Sequence, residues 1–172
     1  MRPHIIGIAG PSSSGKTELA RQLVQKLPGT SIVSLDSYYR GMEEIPLEER
    51  KKVNFDHPDS LDWEMLHEHL QAMAAGRAFS EPVYSFAEYA RSAEVRHIEP
   101  SDFVIVEGLF VLYWPELRTM LDTKVYVRTD PEVCFQPTMK YADLAVSGEE
   151  PLVHSTALVL QSLNRARSVA GA

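Results

Sequence analysis

Five short runs of apolar residues, at 5–9, 31–35, 103–107, 124–128 and 142–146, have the length and continuity of strands covered on both faces. Helical patterns separate them. Residues 15–27 put Leu19, Ala20, Leu23, Val24 and Leu27 on one stripe and stop at Pro28-Gly29. A second helix starts after Asp62, a suitable N-cap, and carries Met65, Leu66, Leu70 and Met73 as far as Gly76. A third runs from 151 to about 167, with Leu152, Leu158, Val159 and Leu163 as its expected inner face. Strands alternating with helices predict an α/β fold: a five-stranded parallel sheet flanked by helices, with right-handed crossovers. Two further runs, 81–86 and 94–98, predict a β-hairpin outside that sheet. No repeat, low-complexity tract or linker interrupts the pattern, so 1–172 is expected to form a single domain.

Composition agrees with this picture and narrows the partners. The 172 residues are 44% hydrophobic and 24% charged, enough for one full core. Seventeen Lys and Arg against 24 Asp and Glu leave a formal charge of −7. A protein that grips nucleic acid or an anionic membrane over a wide face carries the opposite sign, so neither partner is expected. A local basic pocket for phosphate remains open. The single cysteine, Cys134, excludes an internal disulfide and a multi-cysteine metal site, and is expected to be a small buried hydrophobe. No apolar run approaches a membrane span, and residues 1–4 lead straight into a strand rather than a signal peptide. The expected location is cytoplasmic.

The strongest motif is Gly10-Pro11-Ser12-Ser13-Ser14-Gly15-Lys16-Thr17, which fits G-x-x-x-x-G-K-[ST]. Its glycines let backbone N–H groups turn inward around phosphate oxygens. Lys16 reaches the β- and γ-phosphates, Thr17 offers a hydroxyl to Mg²⁺, and the following helix points its positive end at the anion. A chance match in a chain of this length is roughly a half-per-cent event from average residue usage. The strand before the loop and the helix after it lower that further. The segment is expected to bind phosphate.

A phosphate loop does not separate kinases from GTPases or motor ATPases. The N-K-x-D segment by which GTPases recognise guanine does not occur here. Two carboxylates carry more information. Asp36 follows the second strand and Glu107 ends the third, so both fall at the carboxyl edge of an open parallel sheet, where ligands bind. One can act as base or metal ligand, and the other can hold the water shell of Mg²⁺. A strand-end Asp that merely caps a turn is the blander reading of either alone.

Six segments in order, Gly10–Thr17, Asp36-Ser37-Tyr38-Tyr39, Asn54-Phe55-Asp56-His57-Pro58-Asp59, Pro82-Val83-Tyr84-Ser85-Phe86, Val106-Glu107-Gly108-Leu109 and Lys140-Tyr141-Ala142-Asp143, resemble the uridine (uridine–cytidine) kinases. The resemblance covers nearly the whole chain, and Asn-Phe-Asp-His-Pro is specific to that group among P-loop kinases. It implies a three-layer P-loop kinase fold with a small hairpin extension for the nucleoside. The implied activity is transfer of the γ-phosphoryl of ATP or GTP to the 5′-hydroxyl of a pyrimidine ribonucleoside, with Mg²⁺ as cofactor and a homotetramer as the common assembly. By resemblance, Asp36 is the catalytic base, and Thr17, Asp36 and Glu107 form the metal site. Asp56 accepts hydrogen bonds from the ribose 2′- and 3′-hydroxyls, a fitting partner for a vicinal diol. Tyr39, Phe55, Tyr84 and Phe86 wall the base, and Arg91 lies near the nucleoside loop. By hydropathy alone, Phe55 and Phe86 would be core residues.

Two departures matter. The family often has Asp at position 85 and His at position 89, where this chain has Ser85 and Tyr89. Held as an acceptor, Tyr89 would match the cytosine amino group and oppose O4 of uracil. Alternatively it points away and leaves specificity ordinary. The second departure is a gap. Asp130 and Pro131 start a helix that Pro137 would break after barely two turns, too short for a crossover between parallel strands. In the family an arginine-rich helix, a mobile lid and a further helix stand between positions 135 and 136. Either this sequence joins the two sides of a lid that it omits, which is favoured, or the deletion is genuine.

Other residues invite less. His67 and His69 diverge on one helix and make a poor metal pair, His57 precedes a proline and reads as structural, and Trp63 and Trp114 are assigned to packing or oligomer contacts. Rival readings are a P-loop kinase for another small alcohol such as nicotinamide riboside, which Asn54–Pro58 argues against, and a nucleotide-binding relative without turnover.

Overall fold

The computed structural model describes residues 2–129 and 138–170, with side chains through 166. The expected helix start at Asp130 and Pro131, the environment of Cys134 and the junction of 135 with 136 lie outside the described residues.

The chain runs β1 (His4–Ala9), α1 (Lys16–Lys26), β2 (Thr30–Ser34), α2 (Leu47–Arg50), α3 (Trp63–Ala74), β3 (Phe79–Ser85), β4 (Ala90–Ile98), β5 (Phe103–Glu107), α4 (Pro115–Met120), β6 (Thr123–Arg128), β7 (Leu144–Ser147) and α5 (Leu152–Ala170). Among the described residues five strands form one parallel sheet in the order β2-β5-β1-β6-β7. β3 and β4 pair antiparallel as a separate hairpin. The α/β fold read from the sequence is present, with the hairpin outside the main sheet.

Alternation along β1 sends Ile5 and Ala9 to one face and Ile6 and Ile8 to the other, so the central strand supplies both cores. One core packs Val33, Leu35, Val104 and Val106 against Leu66, Leu70 and Met73 of α3. The other packs Ile105, Val125 and Val127 against Leu19 and Leu23 of α1 and Val159 and Leu163 of α5. The expected inner face of α5 needs one correction. Leu158 is 46% exposed. It lies about 100° around the helix from Val159, and Ser155 and Thr156 take the inner positions instead.

Boundaries moved where local signals were weak. Leu35 leaves the sheet to open a short 3₁₀ turn, Leu35–Tyr38. The second hairpin strand begins at Ala90 rather than 94, and β7 is shifted to Leu144–Ser147. Asp62 caps α3 as expected, its side chain accepting the Met65 N–H at 3.2 Å. Trp63 of α3 stacks on Trp114, just before α4, with ring centroids 4.8 Å apart and planes 12° from parallel.

Candidate active site

The loop after β1 is shaped by backbone. Ser13 and Gly15 both adopt left-handed conformations, φ 62° and 87°, and Ser14 N–H donates to Pro11 O at 3.2 Å. This alternation turns successive amides inward, and α1 begins without a side-chain cap, so its first N–H groups remain available to an anion. Lys16 is 9% exposed and its Nζ donates to Pro11 O at 3.3 Å. The Ser14 hydroxyl is buried without a hydrogen-bond partner among the described residues. A buried polar atom left alone is costly, and a phosphate oxygen is a partner that would satisfy it.

Gly148, just past β7, presses on this loop. Its N–H donates to Arg128 O at 2.7 Å, and a Cβ there would stand 2.4 Å from Ser14 O. Sequence reasoning missed this contact. The one available signal was a glycine immediately after the last strand.

The two strand-end carboxylates converge beside the loop. Register aligns Ser34 of β2, Glu107 of β5 and Ile8 of β1 in one row at the carboxyl edge. Glu107 is buried; one oxygen accepts the Ser34 hydroxyl at 2.7 Å and the other accepts the Thr17 hydroxyl at 3.1 Å. Asp36 sits in the 3₁₀ turn after β2 and opens onto a cleft. Burial of its carboxyl and the nearby charge of Glu107 push its pKa above the ordinary aspartate value, and Lys16 offsets part of that rise. Two crowded carboxylates, one hydroxyl and no nitrogen or sulfur donor form a hard-oxygen set that fits Mg²⁺, which takes few protein ligands and fills its octahedron with water and phosphate. No cluster of three or more His, Cys, Asp or Glu able to hold a metal occurs among the described residues.

The cleft, about 260 Å³, is lined by Asp36, Ser37, Glu81, Pro82, Tyr84 and Phe86 among others. Of the four expected aromatics Tyr84 and Phe86 line it, and Tyr39 and Phe55 pack against them. Tyr39 lies 5.2 Å from Phe55, 5.3 Å from Tyr84 and 5.7 Å from Phe86, centroid to centroid. Phe86 is 52% exposed, which a core residue would not be. Burial, with Asp36 and Asp56 nearby, pushes the Tyr39 phenol up to about 12. Asp56 is exposed, in a turn where its N–H donates to Asn54 Oδ1 at 3.0 Å, and its charge acts on Tyr39. Tyr89 adopts φ 51°, a strained backbone for a bulky residue, with its ring 5.5 Å from Phe55.

Arg91 is placed differently from a side chain waiting for a ligand. Its guanidinium donates to Tyr39 O at 3.0 Å, Tyr38 O at 3.4 Å and the Asp62 carboxylate at 3.0 Å. It joins the hairpin to the segment after β2 and to the cap of α3. Arg50 does similar work further out, donating to Ile45 O, Glu43 O and Glu88 O at 2.7–2.9 Å. Neither bridge has a local signal, because Glu88, Tyr38, Tyr39 and Asp62 lie on other segments. His67 stacks on Trp63, and His69 shares a 3.0 Å hydrogen bond with Tyr38.

A parallel sheet of this strand order, with a phosphate loop leaving its central strand, is the architecture of the P-loop kinases. A solved structure from Bacillus stearothermophilus, described as a possible uridine kinase, superposes with a TM-score of 0.63 at 22% identity, over 84% of this chain and 89% of that one. The chain belongs to the phosphoribulokinase/uridine kinase family, whose model matches residues 5–149. A uridine kinase of Chloroflexus aurantiacus is 42% identical over 135 residues, 77% of this chain and 65% of that protein. One of Alkaliphilus metalliredigens is 43% identical over 134 residues, 77% of this chain and 64% of that protein. The chain thus spans about 65% of the length of the curated relatives it matches.

Proposed function

We propose that this chain is the core of a pyrimidine ribonucleoside kinase, transferring the γ-phosphoryl of ATP or GTP to the 5′-hydroxyl of uridine or cytidine in nucleotide salvage. The observation that carries the reading is the position of Asp36, between the Lys16–Thr17–Glu107 cluster and an aromatic cleft. The amides of 10–15 and Lys16 hold the triphosphate. Tyr39, Phe55, Tyr84 and Phe86 flank the base, and Asp56 accepts the ribose hydroxyls. Asp36 takes the proton as the 5′-oxygen forms its bond to phosphorus and the bond to the β-phosphate oxygen breaks, releasing the nucleoside diphosphate. Thr17, Asp36 and Glu107 would hold Mg²⁺, which when bound neutralises charge on the transferring group.

A coupled assay with uridine, cytidine and nicotinamide riboside tests this: turnover on the two pyrimidine nucleosides and none on the third is expected. Preference for nicotinamide riboside would overturn it. A second reading, a nucleotide-binding relative without turnover, applies if the deletion between 135 and 136 is genuine, because the arginine-rich lid of the family then has no counterpart. In P-loop enzymes such an arginine is worth about 10³ or more in rate. Calorimetric binding of ATP and uridine with no product would select that reading.

A further inference from the structure

Among the described residues β2 is an edge strand, paired with β5 alone. Its outward N–H and C=O groups would therefore need another partner. Two of them find side chains from the hairpin. Ser34 N–H donates to Glu81 Oε1 at 3.1 Å, and Arg96 Nη2 donates to Ile32 O at 2.8 Å. Glu81 and Arg96 are themselves joined, Arg96 Nε to Glu81 Oε2 at 2.6 Å. In a parallel ladder one residue of a neighbouring strand accepts from one N–H and donates to the C=O two residues earlier. The Glu–Arg pair reproduces that pattern, standing in for one residue of a sixth strand.

The pair also stands between the two halves of the site. On one side it belongs to β3 and β4, whose tip carries Tyr84 and Phe86. On the other it grips Ser34, whose hydroxyl donates to Glu107, which in turn accepts from Thr17 of the phosphate loop. The hydrogen bonds run Arg96–Glu81–Ser34–Glu107–Thr17 without a break. Glu81 is 1% exposed, a poor place for a carboxylate whose only use is fold stability. Hydrophobic residues of similar volume often replace both partners of a buried ion pair without loss of stability.

Resting on the kinase reading above, we propose that Glu81 and Arg96 are positioning residues, which set the nucleoside-side hairpin at a fixed distance from the phosphate site through Ser34 and Glu107.

The test compares Glu81→Met, which fills the space but accepts no hydrogen bond, with Glu81→Gln, which keeps an oxygen for Ser34 N–H. In Glu81→Met we expect a lower Tm, because Ser34 N–H and Arg96 lose their acceptor, together with about tenfold lower kcat measured well below that Tm and an unchanged KM for ATP, since small misplacements of reacting groups cost large factors in rate. Glu81→Gln is expected to recover most of the rate while Arg96 turns to water. Ser34→Ala combined with Glu81→Met should lower kcat no further than the worse single variant, because both cut one chain of bonds. Full turnover in Glu81→Met, additive losses in the pair, or a loss that follows Tm and is not recovered by Gln would overturn the proposal. Amide exchange reads the same contact without any reaction: Ser34 N–H should exchange at least tenfold faster in Glu81→Met and as in the wild type in Glu81→Gln. Wild-type chain without turnover sinks the kinase reading alone, and the positioning claim is then decided by Ser34 exchange, where unchanged protection refutes it.

Discussion

The phosphate side and the nucleoside side of the cleft are built by different means. On the phosphate side eight consecutive residues follow the central strand, and their shape comes from backbone conformation at Ser13 and Gly15. Glu107 reaches the loop because sheet register puts it beside Ser34 and Ile8. On the nucleoside side the residues come from 36–62 and 79–98, and three arginines hold them to one another through carbonyls and carboxylates of distant segments. A site placed by the sheet inherits its rigidity. One placed by long side chains must hold its geometry contact by contact, so single substitutions there should affect nucleoside recognition and leave nucleotide binding alone.

The largest effect is expected where the two sides meet. Asp36→Asn should lower kcat by about 10²–10⁴ while calorimetric affinities for ATP and nucleoside change little, because Asn keeps the shape but cannot take the proton. Lys16→Ala, by contrast, should lose ATP affinity as well, since its charge contacts ground-state phosphates. Near wild-type turnover of Asp36→Asn would end its assignment as base.

Next comes Gly148→Val. The new side chain would meet backbone at Ser14 and Arg128 that cannot move aside, at a cost of about 1–3 kcal/mol. ATP binding should weaken with nucleoside binding intact; an unchanged ATP affinity would show that β7 does not constrain the loop. Arg91→Met tests the opposite side. Its pair with Asp62 is about four-fifths buried, so the loss should be about 1–3 kcal/mol in urea unfolding, with KM rising for the nucleoside and not for ATP. Equal changes in both constants would erase the distinction between the two sides.

The raised pKa of Asp36 gives turnover and stability opposite pH dependences. The carboxylate is the form that accepts a proton, so turnover falls as pH drops through the raised value, and the acid limb should lie above the ordinary aspartate pKa of about 3.9. For the fold, an acid whose folded pKa is raised favours the protonated state. The stability it contributes below about 3.9 is lost as pH rises through the folded value. Asp36→Asn, neutral throughout, should remove that decline in unfolding measured across pH. The smallest effect is expected at Tyr89. Tyr89→His should move the ratio of specificity constants from cytidine toward uridine by a few-fold, and equal constants in the parent chain would dismiss the bias.

How much of this was legible follows the same division. β5 occupies 103–107 as read, and Asp62 caps α3 as read, because a continuous apolar run and an N-cap are local signals. The start of β4 was missed because Arg91, Ser92 and Ala93 carry no strand pattern. Pairing with β3 and the Arg91 bridge hold them extended. α4, six residues long, is too short to show a helical stripe. Asp36 and Glu107 could be placed at a sheet edge from sequence alone. The bond from Ser34 to Glu107 could not, since it depends on which strand neighbours which.

The stack of Trp63 on Trp114 also has a practical consequence. These are the chain's two tryptophans, so intrinsic emission reports one contact between the start of α3 and the turn before α4. Fluorescence-monitored denaturation therefore follows that contact, and circular dichroism follows the whole backbone. Coincident transitions would mean that this corner melts with the sheet as one cooperative unit; an earlier optical midpoint would mark it as the first part of the protein to come apart.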